Sequence, residues 1–236
     1  LSLIRAILLI ATDDHESWML MVRQSLHIRS SYNFYTKSLT SPYMEDPNFS
    51  SAILLGNGVF NLMLPLLPPK VMQTFAFFGY RGNTSLGLEQ LWKSCNLKNC
   101  VRSPLSSLVI LIYHLVIAFI LPTAERLEDD QADHEAEWYV MCNSILEDGL
   151  AKYPESPIYK YFLGRFLFIQ RRMHDAVKVF EEAMKMEIEW PQLKHAGYWE
   201  VCLCSLYTLD WERGYKYSRV MTKENKWSKA FYQYLE

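Results

Sequence analysis

The stretch PIYKYFLGRFLFIQRRMHDAVKVFEEA, residues 157–183, decides the architecture. Two apolar-periodic runs flank Gln170-Arg171-Arg172, and small residues stand where two helices would cross. Gly164 lies midway along the first run and Ala176 near the start of the second, so two backbones can approach closely. Phe180, four residues after Ala176, fills the gap one turn on, and Ala183 continues the same face. The reading is a helix-turn-helix hairpin shaped to stack on copies of itself.

The pattern recurs. Ala176 and Gly214 hold matching places 38 residues apart, and Trp190 and Trp227 open successive first helices 37 residues apart. The pattern resembles the tetratricopeptide type of repeat, whose standard period is about 34 residues, here with stretched helices or turns. Helices are predicted over Trp138–Lys152, Ile158–Gln170, Asp175–Ile188, Gln192–Leu209 and Trp211–Thr222, with a last one from about Lys226. The first of these stops at Tyr153-Pro154 and reads as the second half of an earlier unit. Such hairpins bury their apolar faces only against neighbours, so residues 1–122 are expected to supply more helices. There the sequence predicts helices over residues 1–10 and 17–37, then Ser50–Leu67, Val71–Phe78, a helix to Ser94 capped by Asn83 or Thr84, and Ser103–Leu121. In the last, Ser103 is the expected N-cap and Pro104 the first helical residue. The predicted fold is all-α, a right-handed superhelical stack of antiparallel helix pairs. Its parts are an apolar helical region (1–122) packing on the repeats, an acidic connecting segment (123–137) and the repeats themselves (138–236), together expected to be a portion of a longer chain.

Bulk composition agrees. Half of the 236 residues are apolar and 14% aromatic, which excludes a disordered chain. A net charge of −2, from 24 basic and 26 acidic residues, leaves no basic footprint for nucleic acid. Cys95, Cys100, Cys142, Cys202 and Cys204 are scattered and read as reduced thiols of a cytosolic protein, mostly inside helices. A zinc site from four of them lacks CxxC pairs. Seven acidic residues between Glu125 and Glu137 face one base, Arg126, and read as a solvated loop or helix start rather than a metal or partner site.

Certain words are more specific than the repeat. Gly56-Asn57-Gly58-Val59-Phe60-Asn61-Leu62, running to Leu67-Pro68-Pro69, resembles a segment of the tetratricopeptide repeat protein 39 family, which includes fungal inclusion-body clearance proteins. Phe78-Gly79-Tyr80, Gly82-Asn83, Gly87-Leu88, Arg102-Ser103-Pro104-Leu105 and Tyr113-His114 follow in the same order, then Gly164-Arg165, Tyr198-Trp199-Glu200 and Trp227-Ser228-Lys229-Ala230. The resemblance covers roughly residues 50–236. It implies an α-helical repeat protein of the cytosol with no known catalytic activity and no cofactor. Fungal relatives are associated with mitochondria and lipid droplets, and animal relatives are regarded as adaptors.

Candidate chemistry is sparse. His114, among Leu111, Leu115 and Ile117, reads as a core histidine hydrogen-bonded to a carbonyl. No catalytic triad, HExxH, P-loop or complete GxGxxG is present, and Gly56-x-Gly58 is expected to serve close helix packing. The protein is therefore read as no enzyme, with no metal or cofactor. Leu105–Leu121 is 17 residues without a charge, about 26 Å of helix and slightly short of a bilayer core. A helix apolar all round also suits the middle of a helical stack, and that is the preferred reading. The apolar stretch Ala52–Phe78 is likewise expected to pack rather than touch a membrane.

The expected functional surface is the groove lined by the first helices of the repeats. Tyr161, Arg165, Phe168, Trp199 and Tyr207 are the candidate partner-binding residues, because aromatics and arginine dominate interface energetics. The alternative is that other helices cover the groove and make these residues core. A clamp for a peptide C-terminus is not expected, since Tyr161, Phe162 and Arg165 occupy the places of the lysine and asparagine set. The functional expectation is a non-enzymatic scaffold or adaptor for protein partners. The alternative is a membrane-associated organiser, peripheral on the mitochondrial outer membrane or on lipid droplets.

Overall fold

The computed structural model describes residues 30–67, 82–97, 99–120, 132–186, 190–225 and 229–235, with backbone alone for 132–136. Among these residues there is no strand. The described residues form ten helices in succession: α1 (30–38), α2 (Pro47–Met63), α3 (Thr84–Cys95), α4 (Ser103–Ile120), α5 (Ala132–Lys152), α6 (Pro157–Ile169), α7 (Met173–Lys185), α8 (Pro191–Tyr207), α9 (Trp211–Glu224) and α10 (Lys229–Leu235). The fold is all-α, with antiparallel helix pairs in the repeat region.

Helix starts follow local chemistry. Asp46, Asn83, Ser156 and Asp210 each accept a bond from the backbone N–H three residues on, satisfying a donor the helix leaves open. Pro47, Pro157 and Pro191 occupy first positions, where no N–H is needed. At α4 the expected cap differs. Arg102, not Ser103, supplies the first helical carbonyl, accepting from Ser106 N at 3.1 Å, while the Ser103 hydroxyl donates to Leu97 O at 2.7 Å. Helix α5 begins six residues before Trp138, because Ala132, Glu135, Ala136 and Glu137 are strong helix formers. The acidic stretch is thus helical from residue 132. The helices expected over 1–10 and 71–78, and most of 17–37, lie outside the described residues.

Contacts divide the chain within α4 into two compact units, Leu1–Ile110 and Leu111–Glu236. In the first, α2 crosses α3 where Gly58 meets Gly87. A Cβ on Gly87 would lie 2.9 Å from Gly58 O, so only glycine permits this approach. Beside the crossing, the Asn61 side-chain amide donates to Asn57 O at 3.1 Å and lies 3.3 Å from Gln90 Oε1. Ser94 Oγ donates to Ser51 O at 3.0 Å, and Ser106 Oγ donates to Ser94 Oγ at 2.7 Å. Gly58, Asn57 and Asn61 are therefore the packing and polar links of one helix crossing, with buried groups satisfied, while Gly56 packs on the Tyr35 ring of α1.

In the second unit, α6–α7 and α8–α9 are consecutive hairpins. Their turns are copies: Arg171 (φ 61°) and Leu209 (φ 57°), 38 residues apart, both take the left-handed conformation. The next N–H closes each turn, Arg172 to Leu167 O at 3.0 Å and Asp210 to Ser205 O at 2.9 Å. A Cβ on Gly164 would meet the Phe180 ring at 2.6 Å, which is the close approach expected from the small residues. Between hairpins, a Cβ on Gly197 of α8 would lie 2.8 Å from Met184 of α7. Phe180, Ala176, Val201 and Cys204 form the fully buried centre of this stack.

Candidate interaction site

The last part of α4 departs from α-helical geometry. Residues Tyr113–Ile117 are π-helical, with Ala118 N bonded to Tyr113 O. A π stretch widens the helix and redirects its carbonyls. Leu115 O is held by Arg165 of α6, whose Nη2 and Nε donate to it at 2.6 and 3.1 Å. The same guanidinium donates through Nη1 to Glu200 Oε2 at 2.8 Å. Glu200 also accepts from Tyr161 Oη at 3.2 Å. Burial, then the nearby Glu200 carboxylate, raises the Tyr161 hydroxyl well above the usual tyrosine range.

This network ties α4, α6 and α8 together without water-exposed charge. Arg165 is 3% exposed and Glu200 5%. Two buried charges must be paired and their remaining lone pairs and protons satisfied, and three of the guanidinium's nitrogens are engaged here. Arg165 also lies over two rings, 5.1 Å from the centroid of Phe119 and 5.5 Å from that of Phe168.

The five expected contact residues therefore divide. Arg165 and Phe168 are core, because α4 lies against the first helix of the hairpin and consumes their faces. Tyr161 is half-buried beside Phe180 and Glu200. Trp199 is half-buried against Phe231 and Tyr232 of α10, at 5.6 and 6.2 Å between ring centroids. Only Tyr207 stands out, 67% exposed, its ring 5.7 Å from Phe168. The structure adds Phe119 and Ile120, both exposed at the end of α4. Phe119, Phe168 and Tyr207 form a row of rings, buried at its middle and open at both ends.

Two signals in the sequence bear on this. Glu200 shares a face with Gly197, Val201 and Cys204, the inward face of α8, where a carboxylate needs a partner. Arg165 sits on the inward face of α6 near its middle. His114 is core as expected, its ring stacked parallel to Trp138 at 5.7 Å. Ser103–Ile120 and Pro47–Leu66 are both long and apolar enough to cross a membrane, and half of each is buried within the protein.

The helical repeat agrees with comparison to known proteins. The profile described as Iml2/Tetratricopeptide repeat protein 39 matches residues 1–236, the whole chain. The chain belongs to this family. It is 28% identical over 243 residues to tetratricopeptide repeat protein ttc-39B of Caenorhabditis elegans, covering 99% of this chain and 40% of that protein. The chain thus spans about two fifths of the length of that relative. No solved structure matches it significantly. The Iml2/Tetratricopeptide repeat protein 39 family is a tetratricopeptide-like helical repeat family, an architecture whose general use is protein–protein interaction.

Proposed function

We propose that this chain is a non-enzymatic adaptor of the cytosol that docks a protein partner beside the end of α4. The observation that carries the reading is the row of rings through Phe168, with Tyr207, Phe119 and Ile120 exposed around it. Exposed aromatics anchored on a rigid buried layer are the features of an interface hot spot, since little side-chain freedom is lost on binding. Trp199 with Phe231 extends the surface along α8 and α10. The test is affinity capture with the full-length protein, comparing wild type with Phe119→Ala/Tyr207→Ala. Loss of a discrete set of partners from a folded variant is expected. Retention of every partner counts against this surface.

The second reading, a peripheral organiser on the mitochondrial outer membrane or lipid droplets, draws on α2 and α4 being long and apolar. With half of each helix buried, contact with a lipid surface is favoured over spanning. Carbonate extraction separates these forms: release from membranes removes a spanning helix.

A further inference from the structure

Three serines of the chain precede a proline: Ser41, Ser103 and Ser156. That pair is what proline-directed kinases select, because the proline brings no N–H to be left unsatisfied in the kinase groove and holds the serine backbone extended. The three stand in different settings. Ser103 is buried and its hydroxyl donates to Leu97 O at 2.7 Å, so a kinase has no access to it. Ser41 is half-buried at the start of a single 3-10 turn, Pro42–Glu45, with Leu39 two residues before it. Ser156 belongs to Pro154-Glu155-Ser156-Pro157, a serine with proline two places before and one place after. This is the pattern that the mitogen-activated class of kinases prefers. The segment connects α5 to α6, and in it Pro154 and Glu155 are exposed and Ser156 partly so. Ser156 is already extended, with φ −82° and ψ 113°. Its Oγ accepts from Tyr159 N at 3.4 Å, against 3.0, 3.0 and 3.1 Å at Asp46, Asn83 and Asp210, so it is the loosest of the four caps and its hydroxyl the easiest to free.

We infer that Ser156 is phosphorylated by a proline-directed kinase and that its phosphate then caps α6. ATP supplies the phosphoryl group: the Oγ–P bond forms as the bond from Pγ to the ADP oxygen breaks, and the hydroxyl proton passes to the kinase's base. A phosphate oxygen then replaces Oγ as acceptor of the Tyr159 N–H, at the helix end that favours negative charge. Lys152 and Lys160, four residues to either side, outnumber the one neighbouring carboxylate, Glu155.

The test is incubation of the folded full-length protein with a mitogen-activated protein kinase and magnesium ATP, followed by phosphopeptide mapping. Ser156 is expected to be labelled first of the three serines, and Ser103 to stay unlabelled. Pro157→Ala keeps the Ser156 hydroxyl and its cap, so the fold should survive while the label is lost. Glu155→Ala changes neither proline and should keep the label. Phosphorus NMR then reads where the phosphate sits, its resonance assigned by its absence from Ser156→Ala. In the folded protein its second proton should leave roughly half a unit below the usual value of about 6, returning to that value in urea. No label at Ser156, a label that appears sooner at Ser41 or Ser103, or one that survives Pro157→Ala overturns the phosphorylation site. A phosphate that titrates alike folded and unfolded overturns the capping.

Discussion

Glu200 Oε2 accepts from Arg165 Nη1 at 2.8 Å, joining first helices of successive hairpins 35 residues apart, and both side chains are almost wholly buried. Arg165→Met leaves a buried carboxylate without its cation and Leu115 O without its donors, so a loss of about 3–5 kcal/mol is expected. Arg165→Met with Glu200→Met removes both charges and should recover most of that loss. Urea unfolding of Arg165→Met, Glu200→Met and the double variant checks this. Simple addition of the two single losses would refute a coupled pair.

Two glycines of the hairpins should respond oppositely. Gly164→Ala drives a Cβ into the Phe180 ring at 2.6 Å and should cost about 1–3 kcal/mol. Gly214→Ala meets nothing closer than Ser205 Cβ at 3.7 Å and should gain about 1 kcal/mol from backbone entropy and helix propensity. It also restores the alanine that Ala176 supplies one repeat earlier. Denaturation midpoints moving in the same direction for both would contradict this packing.

Leu209 holds φ 57° and is exposed, so its side chain has little packing to lose. Leu209→Gly relieves the left-handed strain and should stabilise the chain by roughly 0.5–1 kcal/mol, after allowing for the extra freedom of glycine in the unfolded chain. The same holds for Arg171→Gly at φ 61°. A thermal melt on each variant decides it, and a lowered melting temperature at both sites would mean that the turn is not as described.

Burial pushes the Cys142 thiol from 9.0 up to about 12 and, with a smaller contribution from Glu200, does the same to Cys204. Thiolate is the reactive form, so at pH 8 both should resist iodoacetamide in the folded protein and react once it is unfolded in urea. Mass spectrometry of labelled peptides reads this directly. The same shift has a sign for stability. Below pH 9 folded and unfolded thiols are both protonated; between about 9 and 12 the unfolded thiol loses its proton while the folded one keeps it. Stability should therefore fall as pH rises through that window, by about 1.4 kcal/mol per pH unit for each shielded thiol. Tyr161 and Tyr217, raised above 10 mainly by burial, act in the same direction. Unfolding free energies that stay flat from pH 9 to 10.5 would exclude it.

What was legible in the sequence is what depends on short spacing. Gly164, Ala176 and Phe180 form the expected contact, because one hairpin fixes all three through helical periodicity. Gly58 packs closely as expected, although its partner, Gly87, could not be read from spacing. The groove residues fared differently. Repeat geometry places Arg165 and Phe168 on the first-helix face, but what lies on that face is set by α4, some fifty residues upstream. Local pattern carries no record of so distant a neighbour. The π-helical stretch is also invisible in Tyr113–Ile117, whose residues would suit an ordinary helix equally well.

That stretch makes the end of α4 sensitive to length more than to composition. Deleting one residue from it would restore ordinary i→i−4 bonding while the helix on either side kept its facing. Phe119 and Ile120 would point as before, but the carbonyl now held by Arg165 would return to the helix's own ladder. A single-codon loss, leaving every side chain chemically intact, would thus unhook α4 from the hairpin beneath it.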